Sequence, residues 1–105
     1  MYKRQDVIGG YSVSKAAVIM LTQVQAKTWG TDGIRVNCIA PGLIKTEFAR
    51  ALWDNDEIRK SSEAEASLHR IGEPDEMAGA AVYLASPAAS FLTGQTLIID
   101  GGRLV

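Results

Sequence analysis

The sequence predicts an α/β chain whose strands run parallel, and three observations predict it. Apolar residues recur at helical spacing from residue 12 to about 30. Alternation follows over 34–38 in a run that reaches residue 40, and a second helical stretch leads into a last apolar run at 96–99. The order helix, strand, helices, strand joins two parallel strands by a right-handed crossover through the intervening helices.

In the first helix Val13, Ala16, Ala17, Met20, Leu21 and Val24 share one apolar face, which is expected to pack, and Gly30 is expected to stop the helix. At about 100° per residue, that face lies opposite Tyr11 and Lys15. These are one turn apart and about 40° from each other, so a phenol and an amine point the same way. Next, Ile34, Val36 and Cys38 alternate with Arg35 and Asn37 until Pro41-Gly42 breaks the pattern, giving a strand of about seven residues. Residues 46–69 turn charged around Phe48, Leu52, Trp53 and Ile58 and predict one or two short amphipathic helices. The next helix opens at Pro74, which suits the first helical position, with Asp75 and Glu76 where the macrodipole favours anions. Ser86-Pro87 ends it. Asp100-Gly101-Gly102 ends the last strand.

Composition narrows the function. A length of 105 residues allows one modest domain or a piece of a larger one, and 47% hydrophobic with 22% charged residues is globular composition. A net charge of −1 offers no basic field to neutralise a row of phosphates, so a nucleic-acid partner is not expected. Cys38 is the single cysteine and His69 the single histidine, so neither a disulfide nor a metal site is expected and a reducing cytoplasm is the natural compartment. Cys38 reads as a small buried hydrophobe and His69 as a surface residue. No apolar run reaches the roughly 18 residues of a membrane span, and the N-terminus lacks the apolar stretch of a signal peptide.

The elements also pose an arithmetic difficulty. Two strands cannot cover the apolar faces of two helices, so sequence preceding residue 1 is expected to complete the sheet, and the chain alone is expected to aggregate or stay molten.

Five blocks carry a resemblance: Gly10-Tyr11-Ser12-Val13-Ser14-Lys15-Ala16-Ala17; Arg35-Val36-Asn37-Cys38-Ile39-Ala40-Pro41-Gly42-Leu43-Ile44-Lys45-Thr46; Arg70-Ile71-Gly72-Glu73-Pro74; Leu92-Thr93-Gly94-Gln95; and Asp100-Gly101-Gly102. In this order they resemble the C-terminal part of a short-chain dehydrogenase/reductase of the classical type, a Rossmann-type doubly wound parallel sheet. The resemblance runs from about residue 9 to 102. It implies an oxidoreductase that moves a hydride between NAD or NADP and a small carbonyl or alcohol, and a homo-oligomer, dimer or tetramer, in which the first helix and last strand pack against their copies. The run 41–53 leans toward the carbonyl reductases of the family and away from its acyl-carrier-protein ketoreductases.

The chemistry explains the residue types. Reducing a carbonyl needs a proton donor beside the oxygen, and a phenol, with an ordinary pKa of about 10, is a weak one. An ammonium one turn away favours a phenolate, and its donors can hold ribose hydroxyls. The resemblance makes Tyr11 the acid/base and Lys15 its tuner and cofactor anchor. It places the nicotinamide carboxamide on the Ile44 backbone and the Thr46 hydroxyl, with Pro41 and Gly42 shaping the wall at the carboxyl end of a parallel strand, where a glycine lets backbone approach a cofactor. Residues 47–69 resemble the substrate lid, with Phe48, Leu52 and Trp53 as apolar contacts or core anchors.

The glycine-rich phosphate turn, the selector after the second strand and the catalytic Asn and Ser of the family would all precede residue 1, so the chain by itself is expected to be inactive. Met1-Tyr2-Lys3-Arg4-Gln5 resembles translated sequencing-adapter DNA, so protein-derived sequence is expected to begin near Asp6, with 6–105 the C-terminal part of one NAD(P)-binding domain. Two other readings stay open: a non-catalytic relative used for binding or assembly, and a complete small α/β interaction module.

Overall fold

The computed structural model describes residues 9–103; the proposed lead-in at 1–5 lies outside them. Its elements are α1 (Gly9–Trp29), a 3-10 turn (Gly30–Asp32), β1 (Cys38–Pro41), α2 (Arg50–Trp53), α3 (Asp56–Glu65), α4 (Asp75–Ala85), a second 3-10 turn (Pro87–Ala89) and β2 (Thr96–Ile99). β1 and β2 form a two-stranded sheet. Cys38 N donates to Gln95 O at 2.8 Å and Gly42 N to Ile99 O at 2.9 Å, so both strands advance together and the pair is parallel. The architecture is part of a Rossmann-type sheet, as expected. The chain divides into two compact units, 9–38 with 90–96 and 39–89 with 97–103.

In the first unit, α1 ends at Trp29, directly before Gly30 as expected, and the chain tightens into a 3-10 turn over Gly30–Asp32. The left-handed residue is Gly33 (φ 74°), whose N–H closes on Gly30 O at 3.1 Å. The face expected to pack is the exposed one: Val13 is 70% accessible, Met20 58% and Val24 53%. The buried positions of the helix are Thr22 and Ala26, which at 100° per residue fall on the stripe of Tyr11 and Lys15. The reason is local. The 92–95 turn comes against this stripe, with Gly94 so near Ala26 that an added Cβ would stand 3.4 Å from the alanine methyl.

The first strand is shorter than the seven residues expected. A ladder needs a partner, and β2 begins only at Thr96. Beside 36–37 lies the 92–95 turn, which pairs irregularly: Val36 N donates to Thr93 Oγ1 (3.1 Å), Gly94 N to Val36 O (2.7 Å), Asn37 Nδ2 to Leu92 O (2.8 Å), and Gln95 N to Asn37 Oδ1 (3.1 Å). Asn37 thus serves as a side-chain splice that hands the chain to the regular ladder at Cys38. Cys38 is half-buried, less enclosed than expected.

In the second unit the charged stretch resolves into α2 and α3. Asn55 caps α3, its Oδ1 accepting from Ile58 N at 3.1 Å, with Asp56 and Glu57 in the first turn. Ile44, Ala66 and Ala89 are the buried apolar residues of this unit. Ile44 pairs with Gly72 in a lone parallel bridge, in which Gly72 N donates to Leu43 O and Lys45 N to Gly72 O, both at 2.9 Å. His69 is exposed, as expected, and takes a left-handed φ of 51°.

Glu76 clasps the entry to α4. It receives both guanidinium nitrogens of Arg70 (2.6 and 2.9 Å) and the backbone N–H of Glu73 (2.8 Å). The Arg70 bonds, then the Glu73 N–H, pull its carboxyl from 4.5 down to about 2. A carboxyl held low in the fold stabilises it above its unfolded pKa and loses that contribution as pH falls through the folded value. Urea midpoints should therefore fall as pH drops from about 4.5 toward 2, and Glu76→Gln should flatten that part of the curve. Both side chains are substantially exposed, so salt should weaken the effect.

Candidate active site

Two groups of expected residues are found, one in each unit. In the first, helical spacing brings Tyr11 and Lys15 together: Lys15 Nζ stands 5.1 Å from the centre of the Tyr11 ring, and both side chains are exposed. Ser14, between them in sequence, turns its hydroxyl back to Tyr11 O at 2.7 Å and so does not compete for the phenol. The phenol and ammonium therefore remain available to a ligand, on the stripe that Thr22 and Ala26 anchor about two to three turns after Lys15.

In the second unit the chain leaves β1 through Pro41 and Gly42 and reaches Ile44 and Thr46. Gly42 is needed for an internal reason: a Cβ there would lie 2.9 Å from Asp100 Cα and 3.1 Å from Asp100 Cβ. The close approach is between the ends of β1 and β2. Ile44 is buried, but the bridge to Gly72 uses Leu43 O and Lys45 N, so in an extended chain the Ile44 N–H points to the opposite side and is not spent there. Thr46 is half-buried and firmly held. Its N–H donates to Ile44 O (2.8 Å), its carbonyl receives Ala49 N (3.1 Å) and Trp53 Nε1 (2.7 Å), and its Oγ1 accepts from Ala49 N (3.2 Å). With one lone pair of the hydroxyl taken, the second is left to accept. The Ile44 N–H can donate to an amide oxygen while the second lone pair of the Thr46 hydroxyl accepts from the amide nitrogen, so the residues present fit a carboxamide.

Of the expected lid contacts, Phe48 is 96% exposed and Leu52 also exposed, whereas Trp53 is turned inward onto Thr46. A shallow cavity of about 90 Å³ beside Gly42, Ile44, Gly72, Met77 and Asp100 has room for a few waters, far short of the roughly 300 Å³ at which ligand pockets begin. Among the described residues no group of three His, Cys, Asp or Glu is placed to hold a metal, and no helix is long and apolar enough to cross a membrane. Sequence reasoning missed the roles of Glu76, Trp53 and Asp100. Only Glu76 carried a signal, a carboxylate in the first turn of a helix beside an Arg-containing loop.

Comparison with known proteins bears on this arrangement. The family model described as Enoyl-(Acyl carrier protein) reductase matches residues 3–103. Dehydrogenase/reductase SDR family member 4 of Bos taurus is 43% identical over 97 residues, covering 92% of this chain and 35% of that protein. The structure of a gluconate 5-dehydrogenase from Burkholderia cenocepacia in complex with NADP and tartrate superposes with a TM-score of 0.86 at 41% identity, over 90% of this chain and 37% of the other. A 4-hydroxyisoleucine dehydrogenase complexed with NADH gives 0.85 at 37% identity, over 90% and 39%. The chain spans little more than a third of the length of these relatives.

Proposed function

Since the chain belongs to the short-chain dehydrogenase/reductase family, we propose that it supplies the acid/base pair and the nicotinamide-end contacts of an oxidoreductase that interconverts a small carbonyl and an alcohol with NAD or NADP. The observation that carries this reading is the Tyr11–Lys15 juxtaposition. The relatives solved with NADH and with NADP support the cofactor class.

When bound, the nicotinamide supplies the hydride in reduction and accepts it in oxidation. The chain's own residues handle the proton and the positioning. In reduction Tyr11 Oη donates its proton to the substrate oxygen; in oxidation it takes that proton back. The Lys15 ammonium favours the charge left on the phenol oxygen, and its donors hold ribose hydroxyls. The Ile44 N–H and the Thr46 hydroxyl would hold the carboxamide, with Pro41 and Gly42 forming the wall beside it. The lean toward carbonyl reduction rests on residues 41–53. A homo-oligomer in which α1 and β2 pack against their copies is proposed on the family resemblance.

Lys15→Met tests the pair in a full-length polypeptide carrying these residues. It should lower kcat by at least about a hundredfold and also weaken cofactor binding, since one ammonium serves both. Carbonyl-dependent oxidation of NADH or NADPH at the unsubstituted rate would refute the assignment.

A further inference from the structure

We infer that Trp53 is a positioning residue for the nicotinamide end of the site: its indole N–H locks the peptide of Thr46 and so fixes the Thr46 hydroxyl. The inference rests on the reading above that Ile44 and Thr46 hold the carboxamide.

Among the described residues, the segment between Thr46 and α2 is otherwise held only by short-range bonds, from Ala49 N to Thr46 O and Oγ1, from Arg50 N to Glu47 O and through the exposed Arg50–Glu47 pair. α2 is only four residues long, its N-cap Ala49 offers no side-chain bond, and a single turn is not self-supporting. Trp53 closes the gap across seven residues, with Nε1 donating to Thr46 O at 2.7 Å. Together with Ala49 N this fills both lone pairs of that carbonyl. Rotation of the Thr46 peptide would break both bonds, and the Oγ1 contact from Ala49 N ties the hydroxyl to the same turn. The ring itself is held as well, with Lys45 Nζ 5.5 Å and Arg50 Cζ 5.8 Å from its centre. Phe48 and Leu52, the other two large apolar residues of this segment, project into solvent. Trp53 alone of the three is committed inward, and its target is the residue whose hydroxyl orientation matters most.

Trp53→Phe keeps the ring and removes the donor. In the full-length polypeptide, affinity for NADH or NADPH should fall about three- to tenfold, the loss of one neutral hydrogen bond. Affinity for ADP-ribose, which lacks the nicotinamide, should not change. Unchanged affinity for the dinucleotide, or equal losses for both ligands, would overturn the inference, because a merely structural role moves neither or both. The parent reading is judged separately, on the unsubstituted protein: if that binds the dinucleotide no more tightly than ADP-ribose, the carboxamide contacts themselves are wrong. Should Trp53→Phe fail to fold, hydrogen exchange at the Trp53 indole decides instead. Slow exchange supports the lock, and exchange at the rate of a free indole overturns it.

Discussion

Replacing Tyr11 by Phe in a full-length polypeptide carrying these residues is expected to lower kcat by roughly 10²–10⁴-fold, the span of a lost general acid/base, with cofactor affinity nearly unchanged. The substitution removes one oxygen and leaves the ring, so Lys15 keeps its cation–π neighbour 5.1 Å away and its donors toward the ribose. A kcat effect with little change in cofactor binding is the pattern of a group that acts only as the proton moves. A large loss of cofactor affinity instead would mean that the phenol is a binding group, and unchanged turnover would remove Tyr11 from the chemistry.

The largest effect on stability is expected from Gly42→Ala. The added methyl would meet Asp100 Cα at 2.9 Å, Cβ at 3.1 Å and O at 3.3 Å, and backbone cannot swing aside as a flexible side chain can. The ends of β1 and β2 must separate, straining the bond from Gly42 N to Ile99 O. In a full-length polypeptide carrying these residues, overpacking of this kind costs about 1–3 kcal/mol, a fall in Tm of about 2–12 °C. Gly30→Ala is the control, since nothing stands within 4 Å of a Cβ there; calorimetry should show little change. Equal melting temperatures for Gly42→Ala and the parent would contradict the close strand approach.

Much of this was legible in the residues because it depends on local spacing. A phenol and an amine four positions apart must share a helix face, and β2 was bounded by its own apolar run and the glycines after it. What stayed illegible depends on partners distant in sequence. Periodicity finds an apolar stripe on α1 but not which stripe finds a neighbour, and the 92–95 turn settles on the other one. Alternation over 34–38 marks β-prone residues, yet only those opposite a partner strand become ladder, and Asn37 spends its side chain where the ladder fails. Gly42 reads as making room for a cofactor, and no local pattern shows that Asp100, fifty-eight residues later, also comes close to it. Trp53 reads equally as a lid contact or a core anchor, because nothing in composition reveals that the chain doubles back to put an indole N–H on the Thr46 carbonyl.

The central claim is that Tyr11 passes the proton while a hydride moves beside it, and label transfer tests it most directly. With NADH or NADPH carrying two deuterium atoms at C4 and a small ketone, a full-length polypeptide carrying these residues should yield alcohol bearing deuterium on the carbinol carbon, and Tyr11→Phe should slow formation of that product by roughly 10²–10⁴-fold while still binding the cofactor. Alcohol free of deuterium, or labelled alcohol formed equally well by the Tyr11→Phe variant, would contradict the account.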